Sequence, residues 1–141
     1  MDRNASAIWH GDLKTGNGTI STQSHTLDNT QYSFKSRFEE GVGTNPEELI
    51  AAAHAGCFTM ALSAQLSSAE FPPTTLETTA TVTLETTEDG PTVTKIHLVT
   101  TASVPGIEGK LFDELVKKAK EGCPISRLLK AAEITLDATL L

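Results

Sequence analysis

One stretch constrains this chain more than any other. From Asn45 to about Ser68 it begins like a helix and is apolar on nearly every face. Asn45 can accept hydrogen bonds from the first-turn N–H groups, and Pro46 suits the first helical position, where its missing N–H would have no intrahelical partner. With Asn45 as N-cap, Glu48 falls at the third helical position and is predicted to complete a capping box. Glu47 is left without a structural task. The run continues through Ala51-Ala52-Ala53-His54-Ala55-Gly56-Cys57-Phe58-Thr59-Met60-Ala61-Leu62. At 1.5 Å per residue it spans roughly 30 Å. A helix apolar all round must be covered on more than one side, so this one is predicted to be the central element, with Ala and Gly allowing close backbone approach.

Strand signals surround it. Ala7-Ile8-Trp9-His10, Gly18-Thr19-Ile20-Ser21-Thr22 and Gln31-Tyr32-Ser33-Phe34 predict a small antiparallel meander, with a turn around Lys14-Thr15-Gly16-Asn17. Phe71-Pro72-Pro73 ends the helix. Thr-rich alternation over Glu77–Glu85 and the run Val93–Ala102 predict a strand pair joined by the turn Glu88-Asp89-Gly90-Pro91. Leu111, Leu115, Val116 and Ala119 recur at helical spacing, with Gly122 as the expected cap. Ile125–Lys130 fits one short turn of helix, and Glu133–Leu140 alternates as a last strand. The order predicts a single α+β domain over residues 1–141.

At 141 residues the chain is long enough to bury a core. Its net charge of −7 opposes binding to nucleic acid or to an anionic membrane surface, since phosphate contacts need clustered Lys and Arg. Met1-Asp2-Arg3-Asn4-Ala5-Ser6 does not read as a secretory signal, and no apolar run is read as reaching the roughly 20 residues of a membrane span. A cytoplasmic protein is expected. In a reducing compartment a disulfide is more often transient and catalytic than structural.

The chemistry turns on two cysteines, Cys57 within the apolar helix and Cys123 in the helix-breaking step Gly122-Cys123-Pro124. Free Cys is among the most buried residue types, so inert packing is one reading. Cys123 stands where it caps the following short helix, a position that lowers a thiol pKa. His54 precedes Cys57 by three residues on roughly the same helix face, which allows a Cys–His hydrolase as a second reading. A non-enzymatic protein binding apolar ligands is a third. His54, Cys57 and Cys123 do not make a zinc site, for want of a fourth ligand and of tight pair spacing.

Arg37-Phe38-Glu39, the block Gly43-Thr44-Asn45-Pro46-Glu47-Glu48 through His54-Ala55-Gly56-Cys57-Phe58, Gly122-Cys123-Pro124-Ile125-Ser126 and the closing Ala132–Asp137 together resemble the OsmC/Ohr family of thiol-dependent peroxidases. The Arg-Phe-Glu segment and the His before the first cysteine resemble the osmotically induced OsmC branch. The resemblance covers essentially the whole chain. It implies an OsmC-like α+β fold of antiparallel strands with a long central helix, in an intertwined homodimer with active sites at the subunit interface. It implies that Cys57 attacks the peroxide, that Cys123 resolves the resulting sulfenic acid into a disulfide, that Arg37 holds thiolate and peroxide, and that Glu47 orients Arg37. It implies organic hydroperoxides as substrates, an external dithiol of the lipoyl type as reductant, no metal or bound organic cofactor, and a part in oxidative and osmotic stress defence.

Those roles make physical sense. Cys57 lies mid-helix, beyond reach of the helix dipole, and apolar burial raises a thiol pKa. A cation must be supplied, and Arg stays charged and offers a planar fork of donors. Activation by pKa alone achieves little. Lowering a thiol from ~8.5 to ~6 gains roughly 30-fold in thiolate at pH 7 but costs roughly 13-fold in nucleophilicity at a slope of ~0.45. Arg37 is therefore expected to act mainly on the charge that develops on the peroxide oxygens.

Overall fold

The computed structural model describes residues 1–141, which form two compact units, Met1–Leu49 and Ile50–Leu141. In the first unit, β1 (Ala5–His10), β2 (Asn17–Thr22) and β3 (Thr30–Tyr32) form the expected antiparallel meander. Gly18 lies opposite both Trp9 and Tyr32 in the register. A Cβ there would come within 2.6 Å of the Tyr32 ring. Its absence lets the Trp9 and Tyr32 rings meet at 5.3 Å in a tilted pair.

The chain then makes a short helix that sequence patterning misses, α1 (Phe34–Phe38). Ser33 caps it and Ser36 returns the bond to the Ser33 N–H. Five residues show no periodicity, and Ser-x-x-Ser is a weaker signal than Ser-x-x-Glu. The hydroxyl of Ser36 also donates to the Thr44 carbonyl at 2.8 Å, and Asn45 Nδ2 donates to the Ser36 carbonyl at 2.9 Å. Gly43, at φ +112°, provides the left-handed step that brings the Thr44 N–H onto the Gln31 carbonyl.

Helix α2 (Pro46–Ser68) starts and ends where the sequence places it. Asn45 Oδ1 accepts from the Glu48 N–H at 2.8 Å, as an N-cap should. The reciprocal half of the box is replaced: the Glu48 carboxylate accepts from the Thr44 hydroxyl at 2.8 Å, while the Asn45 side-chain amide donates to the Ser36 carbonyl of α1. After Ser68, Glu70 takes φ +66° and the Phe71 N–H returns to the Leu66 carbonyl.

In the second unit, β4 (Thr75–Thr87) and β5 (Gly90–Ser103) pair antiparallel with a bulge at Thr83/Leu84. Helix α3 (Gly109–Gly122) keeps Gly122 and caps one residue later, at Cys123. Helix α4 (Pro124–Leu128) follows, then β6 (Glu133–Leu140). β6 runs parallel to β5, so this sheet is mixed, with β4 and β5 antiparallel. The α3–α4 crossover is long enough to return the chain in the same direction. On α2, His54, Phe58, Leu62 and Leu66 recur every fourth residue and are buried. The last three share a core with Leu98 and Ala102 of β5 and with Phe112, Leu115, Val116 and Ala119 of α3.

The rest of α2 is not so covered. Its most apolar 18-residue window has a mean hydropathy of 1.4, and 22% of it is buried. On length and composition α2 could span a membrane, which corrects the sequence reading that no run is long enough. The core helix of a soluble protein has the same profile.

Candidate active site

Each unit assembles one pair of the residues singled out in the sequence. In the first, α1 presents Arg37 and the first turn of α2 presents Glu47. The guanidinium makes a forked contact, with Nη2 donating to Oε1 at 2.8 Å and Nε donating to Oε1 at 3.3 Å and Oε2 at 3.2 Å. The Glu47 side chain is 12% exposed and that of Arg37 37%, so the carboxylate is held and the cation keeps a free flank. The Arg37 guanidinium also lies 5.1 Å from the centre of the Phe38 ring. Trp9, Tyr32, Phe34 and Phe38 line an apolar cavity of about 300 Å³ with Arg37 in its wall. Sequence reasoning missed this cavity, since Phe34 and Phe38 belong to the short helix α1 that patterning misses, and Trp9 and Tyr32 come from separate strands.

In the second unit, α2 carries Cys57 and the α3–α4 junction carries Cys123. The two sulfurs are 3.1 Å apart, within about an ångström of a disulfide bond length. Both thiols are free. The junction fixes Cys123 twice over: its N–H donates to the Ala119 carbonyl at 2.9 Å and its carbonyl accepts from the Arg127 N–H at 3.0 Å. Cys123 is fully buried, while Cys57 is partly exposed. A reagent from solution therefore reaches Cys57 first.

Acidity runs the other way. Burial pushes the Cys57 thiol up, and the neighbouring Cys123 sulfur adds to this, against a smaller downward pull from the Ile125 N–H. Burial also raises Cys123. The Ser126 N–H, the Cys57 side chain, the Ser126 hydroxyl and the Ile125 N–H outweigh it and bring Cys123 below its ordinary value. Local reasoning on the sequence ranks the thiols in the same order. The cause is a set of specific donors in the first turn of α4, which at five residues has little dipole of its own.

His54 does not pair with Cys57. Its Nε2 lies 2.7 Å from the Ser126 Oγ, and its Nδ1 is buried without a hydrogen-bond partner. Burial holds the imidazole below its ordinary pKa and so favours its neutral form. A Cys–His acyl-transfer dyad is therefore not formed. Ser126 was given no role from the sequence. The available signal was a hydroxyl in the first turn of a helix that opens Cys-Pro.

Comparison with known proteins adds to this geometry. Residues 39–138 match the family described as OsmC-like protein. The chain is 52% identical to the peroxiredoxin OsmC of Escherichia coli strain K12 over 140 residues, covering 99% of this chain and 97% of that one. The peroxiredoxin OsmC of Shigella flexneri matches equally. Among solved structures, the organic hydroperoxide resistance protein OsmC of Legionella pneumophila superposes with a TM-score of 0.71 at 27% identity, covering 96% of each chain. The organic hydroperoxide resistance protein OhrB of Bacillus subtilis shares the fold, with a TM-score of 0.68 at 24% identity, covering 98% of each chain.

Proposed function

This chain belongs to the OsmC family, and from that premise we propose that it is a thiol-dependent hydroperoxide reductase acting on organic hydroperoxides through Cys57 and Cys123. The observation that carries the reading is the 3.1 Å approach of the only two cysteines, 66 residues apart in sequence. Cys57 is the accessible thiol and Cys123 the buried one, which fits attack by the first and resolution by the second.

The Cys57 thiolate attacks the distal peroxide oxygen. The O–O bond breaks, the alkoxide takes a proton and leaves as alcohol, and Cys57 becomes a sulfenic acid. The sulfur of Cys123 then displaces hydroxide from that sulfenic acid, the thiol proton leaves with it as water, and a Cys57–Cys123 disulfide forms. An external dithiol of the lipoyl type returns both thiols while it is itself oxidised to a disulfide.

Burial raises Cys57, so its thiolate needs a cation. Arg37, with Glu47 holding one edge of its guanidinium, is suited to stabilise both the thiolate and the charge growing on the peroxide oxygens. The apolar cavity beside Arg37 suits an alkyl tail, which gains about 25 cal/mol for each Å² removed from water. Hydrogen peroxide has no tail to bury.

The reading includes a homodimer with active sites at the subunit interface, built from one domain over residues 1–141. Ala52, Ala53, Gly56, Met60 and Ala64 form an exposed stripe along α2, and Met60 is 76% exposed. An apolar stripe of mostly small residues on a central helix suits close packing by a second copy. A cytoplasmic location fits the redox cycle, since it needs a compartment that keeps the thiols reducible.

Steady-state turnover with dihydrolipoamide as reductant tests the proposal. An alkyl hydroperoxide should be consumed with a higher kcat/KM than hydrogen peroxide. Equal efficiencies would remove the organic substrate from the reading, and absence of turnover with both would remove the peroxidase.

A further inference from the structure

The proposed cycle gives His54 no task, yet His54 is fully buried in α2, one turn from Cys57. A neutral imidazole has one N–H and one bare nitrogen. If Nδ1 carried the hydrogen, a buried N–H would have no acceptor, which is rarer and more costly than an unused lone pair. The hydrogen therefore sits on Nε2, which donates to Ser126 Oγ at 2.7 Å. Having accepted that bond, the Ser126 hydroxyl directs its own hydrogen elsewhere. Ser126 follows Cys123, the residue that opens α4, by three positions and lies in the first turn of that helix, and its hydroxyl is among the groups that hold the Cys123 thiol below its ordinary value.

We propose that His54 is a positioning residue for the resolving thiol: through Nε2 it sets the Ser126 hydroxyl as a donor to the Cys123 sulfur and so holds that sulfur ready to close the disulfide. No proton is transferred to His54 in this scheme. The imidazole fixes the direction of one hydroxyl, and the step it serves keeps the balance given above, with water as the product. His54 lies on the helix of the attacked sulfur and Ser126 on the helix of the attacking one. One hydrogen bond thereby ties the two sulfur-bearing segments together. The inference rests on the assignment of Cys123 as the resolving cysteine.

Other charged groups lie near. Lys117, Lys120, Glu121, Arg127 and Lys130 line the cleft beside Ser126. They are the same in every variant below, so differences among the variants isolate the donor chain.

The test is ultraviolet titration of the Cys123 thiolate in a Cys57→Ser background, with folding of each variant checked by circular dichroism. His54→Leu removes the donor at similar volume. His54→Gln keeps an N–H near the position of Nε2. Ser126→Ala breaks the chain at its other link and stands in if His54→Leu does not fold. His54→Leu and Ser126→Ala should each raise the midpoint by about one unit, as expected for losing a hydrogen bond to a charged group. The double variant should rise no further, and His54→Gln should stay with the parent.

With both cysteines present, disulfide closure after one equivalent of tert-butyl hydroperoxide should slow about three- to fourfold in His54→Leu. A tenfold loss of thiolate is partly offset by greater nucleophilicity at a slope of ~0.45. An unmoved midpoint in folded His54→Leu or Ser126→Ala overturns the proposal. So does an equal shift in His54→Gln, which would show packing rather than donation. If the unmodified protein forms no Cys57–Cys123 bond with peroxide, the assignment of the resolving cysteine fails, and the role of His54 fails with it through a separate readout.

Discussion

Residues 1–49 and residues 50–141 hold their functional groups in opposite ways. The first unit keeps a charged pair near its surface: Arg37 has a free flank, an apolar cavity beside it, and a carboxylate that uses only part of its donor fork. The second keeps two thiols in an apolar interior, close enough to bond, with no carboxylate or guanidinium acting on either. In the proposed cycle the thiol pair, 3.1 Å apart, suits the second chemical step, disulfide closure. It is poorly arranged for the first, because the accessible sulfur is the one whose pKa is raised. The charge stabilisation that the first step needs is assigned in the proposed cycle to Arg37. Preparing a thiol to react and preparing a transition state to form are separate tasks here.

Substitutions break this division in a definite order. Cys57→Ser should reduce peroxide turnover to background, since no second accessible thiol exists. Arg37→Ala should cost about 10²- to 10³-fold in kcat/KM, the scale of losing a preorganised donor to a developing oxyanion. The measured Cys57 pKa should account for only about twofold of that. Arg37→Lys should recover part of the loss, because Lys supplies charge without the fork. A loss fully explained by the pKa would erase the distinction between the two units.

Cys123→Ser should leave the first peroxide turnover within a few-fold of normal while abolishing the disulfide, so that the sulfenic acid can be trapped on Cys57. A Cys–His hydrolase would make no such distinction. Leu62→Ala, in the core of the second unit, should destabilise by about 2–5 kcal/mol on urea unfolding. Within the range of conditions where that variant stays folded, the Arg37–Glu47 geometry should be unaffected.

The smallest effect concerns pH. Burial lowers the His54 pKa in the folded chain, whereas the unfolded imidazole binds its proton near pH 6.5. Below that value the unfolded state holds more protons, so stability falls as pH drops and is fully present above it, by at most about 1.4 kcal/mol per pH unit. Urea unfolding between pH 5 and pH 7, with and without His54→Gln, should show a shallower slope in the variant.

Much of this was legible in the residues, for identifiable reasons. The α2 boundaries followed from Asn45-Pro46 and from Phe71-Pro72-Pro73, because capping and breaking are local effects. Glu47 stood out because Glu48 had a structural use, although that use proved to be with Thr44 rather than the Asn45 N–H. What was not legible depends on contacts distant in sequence. The cavity beside Arg37 draws Trp9 and Tyr32 from separate strands and the Phe34–Phe38 pair from α1. The 3.1 Å meeting of Cys57 and Cys123 and the turn of His54 toward Ser126 carry no periodic signal. Neither does the parallel pairing of β6, which alternates just as an antiparallel strand would.

The most direct test of the central claim is to mix the reduced protein with one equivalent of an alkyl hydroperoxide, and separately with hydrogen peroxide, count free thiols over time, and map the bonds formed by mass spectrometry. Rapid loss of both thiols into a single Cys57–Cys123 disulfide, faster with the alkyl peroxide, is the predicted result. Slow oxidation scattered over other products would contradict it and would return both cysteines to the packing of the core.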